Sequence, residues 1–402
     1  MNALIFLLVA LVLFFSASLV YILYYKLIFG DERRSMIFLD NIREIINEGL
    51  SSFPNVSILI PAFNESKLIQ KKLENVAELN YPAEKIEVIV IDDGSKDGTA
   101  NIAENTFRKV HLNGRILKNQ QRVGVNASLN RAIKTASNDL ICITDADVTL
   151  EKDSLRNVIS VLEKMKDVGG ITGNIVPSFG DNKRVIGLEG DYRNFSNRSM
   201  LVESCRHSAF PGSTVLTVFR RSKLANMMPI EYGSTDGNLS ISLIKGGFRF
   251  IYVPFADVYE PIPDDLQQHR LQKTRRAKRL IQVITHNIDV LFNKKYGEFG
   301  SIIFPLKFAM LVCCPLMISV GLLSLIVFVL FSNNLFLFAS AIFSLGFVVF
   351  LIKYSKRVSN LLLGFVLHQF YCLAGLFLSF RKGTYWKKIE RKSGDVQKSL
   401  QK

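Results

Sequence analysis

Three short polar stretches carry groups that could do chemistry together: Pro61-Ala62-Phe63-Asn64-Glu65, Asp92-Asp93-Gly94-Ser95 and Thr144-Asp145-Ala146-Asp147. Each directly follows a run of aliphatic and β-branched residues that reads as a strand. In an open parallel sheet, ligands bind beyond the carboxyl ends of the strands. One Asp-Gly-Ser alone is commonly a helix cap, but three polar strand ends on neighbouring strands imply carboxylates converging on a polar ligand. In Asp145-Ala146-Asp147, alternate residues of an extended segment point to the same side, so both carboxylates can face that ligand. Two carboxylates completed by phosphate oxygens suit Mg²⁺ or Mn²⁺, hard cations that take oxygen ligands. Such a metal would stabilise a departing diphosphate.

Two further stretches add to this set. Ser234-Thr235-Asp236-Gly237-Asn238-Leu239 presents Asp236, a carboxylate able to take a proton. The same residues also read as a helix N-cap ahead of Leu239-Ser240-Ile241-Ser242-Leu243. Residues 267–279 concentrate His269, Arg270, Lys273, Arg275, Arg276, Lys278 and Arg279. A guanidinium from this run can neutralise charge building on a diphosphate. An interfacial helix leaning on anionic lipid is the plainer reading, and both can hold at once. No aromatic residue is interleaved in the run, which argues against nucleic acid as a partner.

The elements that must position these groups alternate. Strand patterns at 56–60, 86–91, 115–118 and 140–144 are separated by helical patterns at 66–79, from Thr99 onward, and at 125–137. The second strand is a near-continuous apolar run, as expected when helices cover both faces of a parallel sheet. Strand–helix alternation implies right-handed crossovers and an α/β, Rossmann-like layout.

Composition places part of the chain in lipid. With 402 residues, 49% hydrophobic and 21% charged, the mean hydropathy is still +0.22. Thirty Phe and long aliphatic runs exclude a disordered chain. The net charge of +15 fits nucleic acid, an anionic membrane face or a phosphorylated substrate, and composition alone does not choose among them. Residues 4–28 are long and apolar enough to cross a ~30 Å hydrocarbon core, and positive charge follows rather than precedes them. They read as an uncleaved anchor, with the next segment cytoplasmic by the positive-inside rule. Apolar runs return at 304–331, 335–352 and 361–380. The expected organisation is an anchor (1–29), a cytoplasmic domain with interfacial helices (30–299), three membrane helices (300–381) and a basic tail (382–402). Three crossings would put the tail outside, whereas Arg381-Lys382 and Lys387-Lys388 favour the inside. Either one segment does not fully cross or the tail departs from the charge rule. The five cysteines are odd in number and lack metal spacing, so no disulfide framework is expected.

These residues resemble the membrane-bound family 2 glycosyltransferases, the group of cellulose, chitin, hyaluronan and poly-N-acetylglucosamine synthases. The resemblance covers most of the chain and implies a GT-A nucleotide-sugar domain fixed to a multi-pass cell-membrane protein. By that resemblance, Pro61, Asn64, Glu65, Asp92 and Asp93 hold the nucleotide, with the aspartates near uracil and ribose. Lys118-Asn119 and the segment 124–130 look like the family's K-N and G-x-x-x-x-L-N stretch, with Val125 where a Lys is usual. Asp145 and Asp147 map to its D-x-D, which binds diphosphate through Mg²⁺ or Mn²⁺. Asp236 falls on the catalytic carboxylate of T-E-D-x-x-L, with Thr235 replacing the Glu. Gln272, Arg275 and Arg276 fall on Q-x-x-R-W, with Arg276 replacing the Trp that lines the acceptor channel. Pro211-Gly212-Ser213-Thr214 resembles the loop that floors the acceptor site.

The function implied is inverting transfer from a nucleotide sugar, a UDP-sugar by resemblance, to a lipid-linked or glycan acceptor. Asp236 would serve as base and Arg275 as diphosphate partner. The alternatives are a processive polysaccharide synthase, a polyprenyl-phosphate sugar synthase, and a catalytically silent nucleotide-sugar sensor.

Overall fold

The computed structural model describes residues 3–178, 183–211, 215–261, 266–332 and 356–380. Its strands are β1 (Val56–Ala62), β2 (Ile86–Asp92), β3 (Gly114–Lys118), β4 (Leu140–Thr144), β5 (Thr149–Leu150), β6 (Val168–Ser178), β7 (Leu216–Arg220) and β8 (Arg249–Pro261). Among the described residues they form one sheet in the order β3-β2-β1-β4-β7-β6-β8-β5. The first four strands are parallel, as their apolar runs require. Ile58, Ile60, Val88, Val90 and Cys142 pack on one face of the sheet. Leu59, Ile89, Ile91, Ile141 and Ile143 pack on the other. Pro61, which has no N–H, is tolerated because β4 pairs with β1 only as far as Leu59.

Helices α3 (Ile69–Ala77) and α4 (Thr99–Val110) cover the first face, and α5 (Val125–Thr135) the second. Beyond β4 the expected parallel alternation ends. Strand β7 runs antiparallel between β4 and β6, and β5 antiparallel to β8. Side-chain period reports which face a residue occupies but not the direction of the neighbouring strand, so this mixed half was not legible.

Among the described residues two helices are long and apolar enough to cross a membrane: one over Leu4–Leu27, within α1 (Ala3–Phe29), and one over Phe299–Phe331. With α2 (Glu32–Glu48), α6 (Ser154–Lys164), α7 (Lys183–Arg206), α8 (Thr235–Lys245) and α9 (Leu266–His286) placed in order, the second apolar helix is α10. It begins five residues earlier than its apolar run suggested. Within it, Pro305 and Pro315 each follow a widened π turn, at Phe299–Ile303 and Ala309–Cys313. Gly321 of α10 faces Phe14 of α1, and an added Cβ there would lie 3.0 Å from the ring. A further helix, α11 (Lys356–Ser379), has a shorter apolar stretch, Gly364–Ser379, and is the last among the described residues. The expected span at 335–352 and the basic tail lie outside the described residues.

A third apolar cluster joins these helices to the domain: Tyr24, Val202, Phe210, Ile281, Ile284, Phe299 and Phe304. Glu203 is buried in its midst. It accepts hydrogen bonds from Tyr24 Oη (2.6 Å), Ser199 Oγ (2.8 Å) and the Phe210 N–H (3.0 Å), and Lys307 Nζ lies 2.9 Å away. One carboxylate thus ties α1, α7 and α10 together.

Candidate active site

The register Ala62↔Asp92 brings the first two polar strand ends out side by side. Asn64 adopts a left-handed φ of 57°, which Asn tolerates better than most residues. Its N–H donates to Ser95 Oγ (2.9 Å), and its Oδ1 accepts from the Lys96 N–H (3.0 Å). The Glu65 N–H donates to Thr99 Oγ1 (2.9 Å). The two strand ends are therefore laced into one surface. Asp92 Oδ1 accepts from the Ser95 N–H (2.8 Å) at its rim.

Asp93 has a different employment from its neighbour. Its Oδ1 accepts from Asn119 Nδ2 (2.9 Å), the Val123 N–H (2.9 Å) and Ser128 Oγ (3.0 Å), and its Oδ2 from the Gly124 N–H (3.0 Å). Four donors occupy most of what a carboxylate can accept. Asp93 thus shapes the loop at 119–124, where Arg122 stacks over the Phe63 ring at 3.9 Å. Burial pushes the Arg122 guanidinium down, with Asp93 opposing. Lys118 is exposed at the end of β3, and Pro61 is half-buried within β1.

The expected extended geometry of Asp145-Ala146-Asp147 is not what forms. Strand β4 ends at Thr144, and the three residues make a turn before β5. Ala146 is buried while both carboxylates are half-exposed, so the alternation survives in the turn. Beneath it lies Lys72 of α3, 2% exposed, whose Nζ donates to Thr144 Oγ1 (2.9 Å) and to the Val148 carbonyl (3.1 Å). Burial pushes this amine down to about 7, with Cys142 and Asp145 opposing. Lys72 holds both flanks of the turn. Among the described residues no three His, Cys, Asp or Glu side chains form a ready metal cage. The donor set fits a cation that takes two carboxylates and completes its shell from a bound diphosphate. Lys72→Met should then raise the Mn²⁺ concentration for half-maximal activity about tenfold, the size of effect seen when groups orienting metal ligands are removed. A metal titration of turnover checks it.

Asp236 sits in the first turn of α8. The cap is made by Ser234, whose Oγ accepts from the Gly237 N–H (3.2 Å), so the carboxylate is not consumed in capping. Thr235 Oγ1 donates to Asn126 Oδ1 (3.0 Å), and Asn130 Nδ2 donates to the Met228 carbonyl (2.7 Å). Helix α5 thereby clamps the approach to Asp236.

Helix α9 faces the two acidic sites with residues one turn apart. Burial pushes Arg275 down to about 10, with Arg276 adding repulsion and Asp145 and Glu260 opposing. Burial likewise pushes Arg279 down to about 10, with Arg275 adding to the shift, Asp236 opposing it and Arg122 adding to it. Arg275 thus belongs electrostatically with the Asp145 turn and Arg279 with Asp236. Arg276 is turned elsewhere, because consecutive helical residues are 100° apart. Its Nη2 bonds Glu260 Oε1, and Glu260 Oε2 also takes Arg193 Nη2. Arg193 Nε bonds Glu189 Oε1 (2.9 Å), and Lys273 Nζ lies 2.7 Å from Glu189 Oε2. Arg276, expected on the acceptor and diphosphate side by resemblance, is thus a member of this buried ion network. Gln272 is buried one turn before it. The loop residues 212–214 lie outside the described residues.

Sequence reasoning gave no role to Arg122 or Lys72, and named Arg279 only as part of the basic run. Arg279 was legible, being four residues after Arg275 on a helix.

The solved mannosyltransferase PcManGT from Pyrobaculum calidifontis, described in complex with GDP-Man and Mn²⁺, superposes with a TM-score of 0.68 at 21% identity. It covers 90% of this chain and 98% of that one, which establishes a GT-A-like α/β fold. Residues 57–227 match the sequence model described as "Glycosyl transferase family 2", so the chain carries a domain of that family of enzymes. An N-acetylglucosaminyltransferase of Rhizobium meliloti strain 1021 is 28% identical over 240 residues, 56% of this chain and 55% of that protein. A poly-β-1,6-N-acetyl-D-glucosamine synthase of Staphylococcus aureus strain COL is 28% identical over 235 residues, 56% and 54% of the two. The chain matches about half the length of these two relatives.

Proposed function

We propose that this glycosyltransferase is an inverting, multi-pass membrane enzyme acting at the cytoplasmic face of the cell membrane. It moves a sugar from a nucleotide sugar, a UDP-sugar first among candidates, to a lipid-linked or glycan acceptor. The observation that carries this is the family 2 domain match together with the placement of Asp145 and Asp147 just beyond β4 and of Asp236 in the first turn of α8. Two apolar helices of membrane-crossing length support the membrane setting.

In this reading Asn64, Glu65 and Asp92 line the nucleotide side, and Asp93 holds the loop that closes it. Asp145 and Asp147 would hold Mg²⁺ or Mn²⁺, which would offset diphosphate charge when bound. Arg275 adds a fixed cation to the leaving diphosphate. Asp236 takes the proton of the acceptor hydroxyl as that oxygen attacks the anomeric carbon opposite the departing group. Arg276, paired with Glu260, presents no stacking surface to a growing chain, which favours single transfer over polymerisation.

The test is nucleoside-diphosphate release by the purified protein with a panel of UDP- and GDP-sugars, Mn²⁺ and total membrane lipid. Release with one donor, abolished by chelation, is expected. Donor binding without release under any acceptor supply would favour a sensor, and a long free polysaccharide product would overturn single transfer.

A further inference from the structure

Helix α9 bears Arg275 and Arg279 and also packs against α11. The approach is close: a Cβ added at Gly375 of α11 would lie 2.8 Å from the Lys278 backbone nitrogen and 3.1 Å from Ala277 Cβ. One turn along α9, the buried Gln282 uses both ends of its amide. Its Oε1 accepts from the Gly233 N–H (3.1 Å), and its Nε2 donates to the Ser379 carbonyl (3.3 Å). Ser379 is in the last turn of α11, where carbonyls have no donor within their own helix. Since an N–H can only donate and a carbonyl only accept, these partners fix which way the amide points.

Gly233 opens the segment Gly233-Ser234-Thr235-Asp236 and is itself pinned. Its φ is +78°, and a Cβ would meet Asn238 Nδ2 at 2.7 Å and Val283 Cγ2 at 2.8 Å. Asn238 Nδ2 donates to the Tyr232 carbonyl (3.1 Å), closing the other side of the turn. The segment leading to Asp236 therefore rests on Gln282 and Val283 of α9, and Gln282 rests on the end of α11.

We propose that Gln282 is a positioning residue that transmits the seat of α11 on α9 to the turn carrying Asp236. The last apolar helix then sets where the candidate base stands relative to Arg275 and Arg279. This rests on the role of Asp236 proposed above. A misplacement of about 1 Å can cost about a hundredfold in rate while leaving ground-state binding intact.

The experiment uses the full chain in lipid nanodiscs, with donor KM, kcat, and nucleotide affinity by calorimetry. Gln282→Leu is expected to lower kcat by about ten- to a hundredfold, with nucleotide affinity within about twofold of the parent. Gln282→Glu keeps an acceptor for Gly233 but sets a carboxylate oxygen against the Ser379 carbonyl, and should fall between the two. Gly375→Val, which touches no residue of the site, should reproduce the kcat loss. An unchanged kcat in Gln282→Leu overturns the proposal. So does a parallel loss of nucleotide affinity and melting temperature, which would show a merely structural role. Asp236→Asn measured alongside separates the two readings. Full turnover in that variant would sink the site assignment, whereas its inactivity beside a normal Gln282→Leu protein would sink the relay alone.

Discussion

Asp236→Asn should reduce kcat by about a thousandfold while donor affinity stays within about twofold, the middle of the range for loss of a general base. The carboxamide keeps the size of the side chain and loses its basicity. Ser234, not Asp236, caps α8 through the Gly237 N–H, so the variant should fold. The Thr235–Asn126 hydrogen bond that holds the turn is also untouched. Single-turnover sugar transfer at saturating donor, with nucleotide affinity measured on the same sample, checks both halves of the expectation. A turnover within threefold of the parent would remove Asp236 from the reaction.

The second large effect is on stability. Glu260→Ala should cost about 3–5 kcal/mol, the usual consequence of leaving buried charges without their counter-charge. Glu260 is 4% exposed and lies between Arg193 and Arg276. Its removal leaves Arg193, Lys273 and Arg276 facing Glu189 alone among the described members of the network. At roughly 2–4 °C per kcal/mol for a domain of this size, the melting temperature should fall by about 10 °C. Replacing Glu260 and Arg276 together by Met should recover much of the loss, because no unpaired charge then remains from that pair. Burial alone would raise the Glu260 carboxyl; Arg276 and Arg193 outweigh it and hold the group below its usual range. A carboxyl depressed in the folded state contributes stability above its unfolded pKa, and that contribution is lost as pH falls through its folded value. The Glu260→Ala protein should accordingly lose part of the parent's acid sensitivity in a melting series.

Much of the fold was legible because its first half obeys local rules. The runs at 56–60, 86–91 and 140–144 are strands buried on both faces, and Thr99 and Val125 begin helices at the residues expected. Asp145 and Asp147 stood out as candidates because an acidic strand end carries chemistry in its residue types, whereas Asp236 and Arg275 drew their proposed roles from the family resemblance. What escaped was set by neighbours distant in sequence. The direction of β7 depends on β4 and β6, and nothing within Leu216–Arg220 encodes it. Lys72 and Gln282 are single polar residues on buried helical faces, and their meaning lies in the partners they reach. Arg275 and Arg276 are identical in type and adjacent in sequence; the 100° between them lets Arg276 alone reach Glu260 in an ion pair among those described.

The Glu203 knot has a mechanical consequence. With Tyr24, Ser199, Lys307 and the Phe210 N–H gathered on one carboxylate, the long apolar helices and the catalytic domain share a single rigid seam instead of a tether. Under the proposed membrane reading such a seam would act as a ruler, holding the candidate site at one height above the bilayer surface.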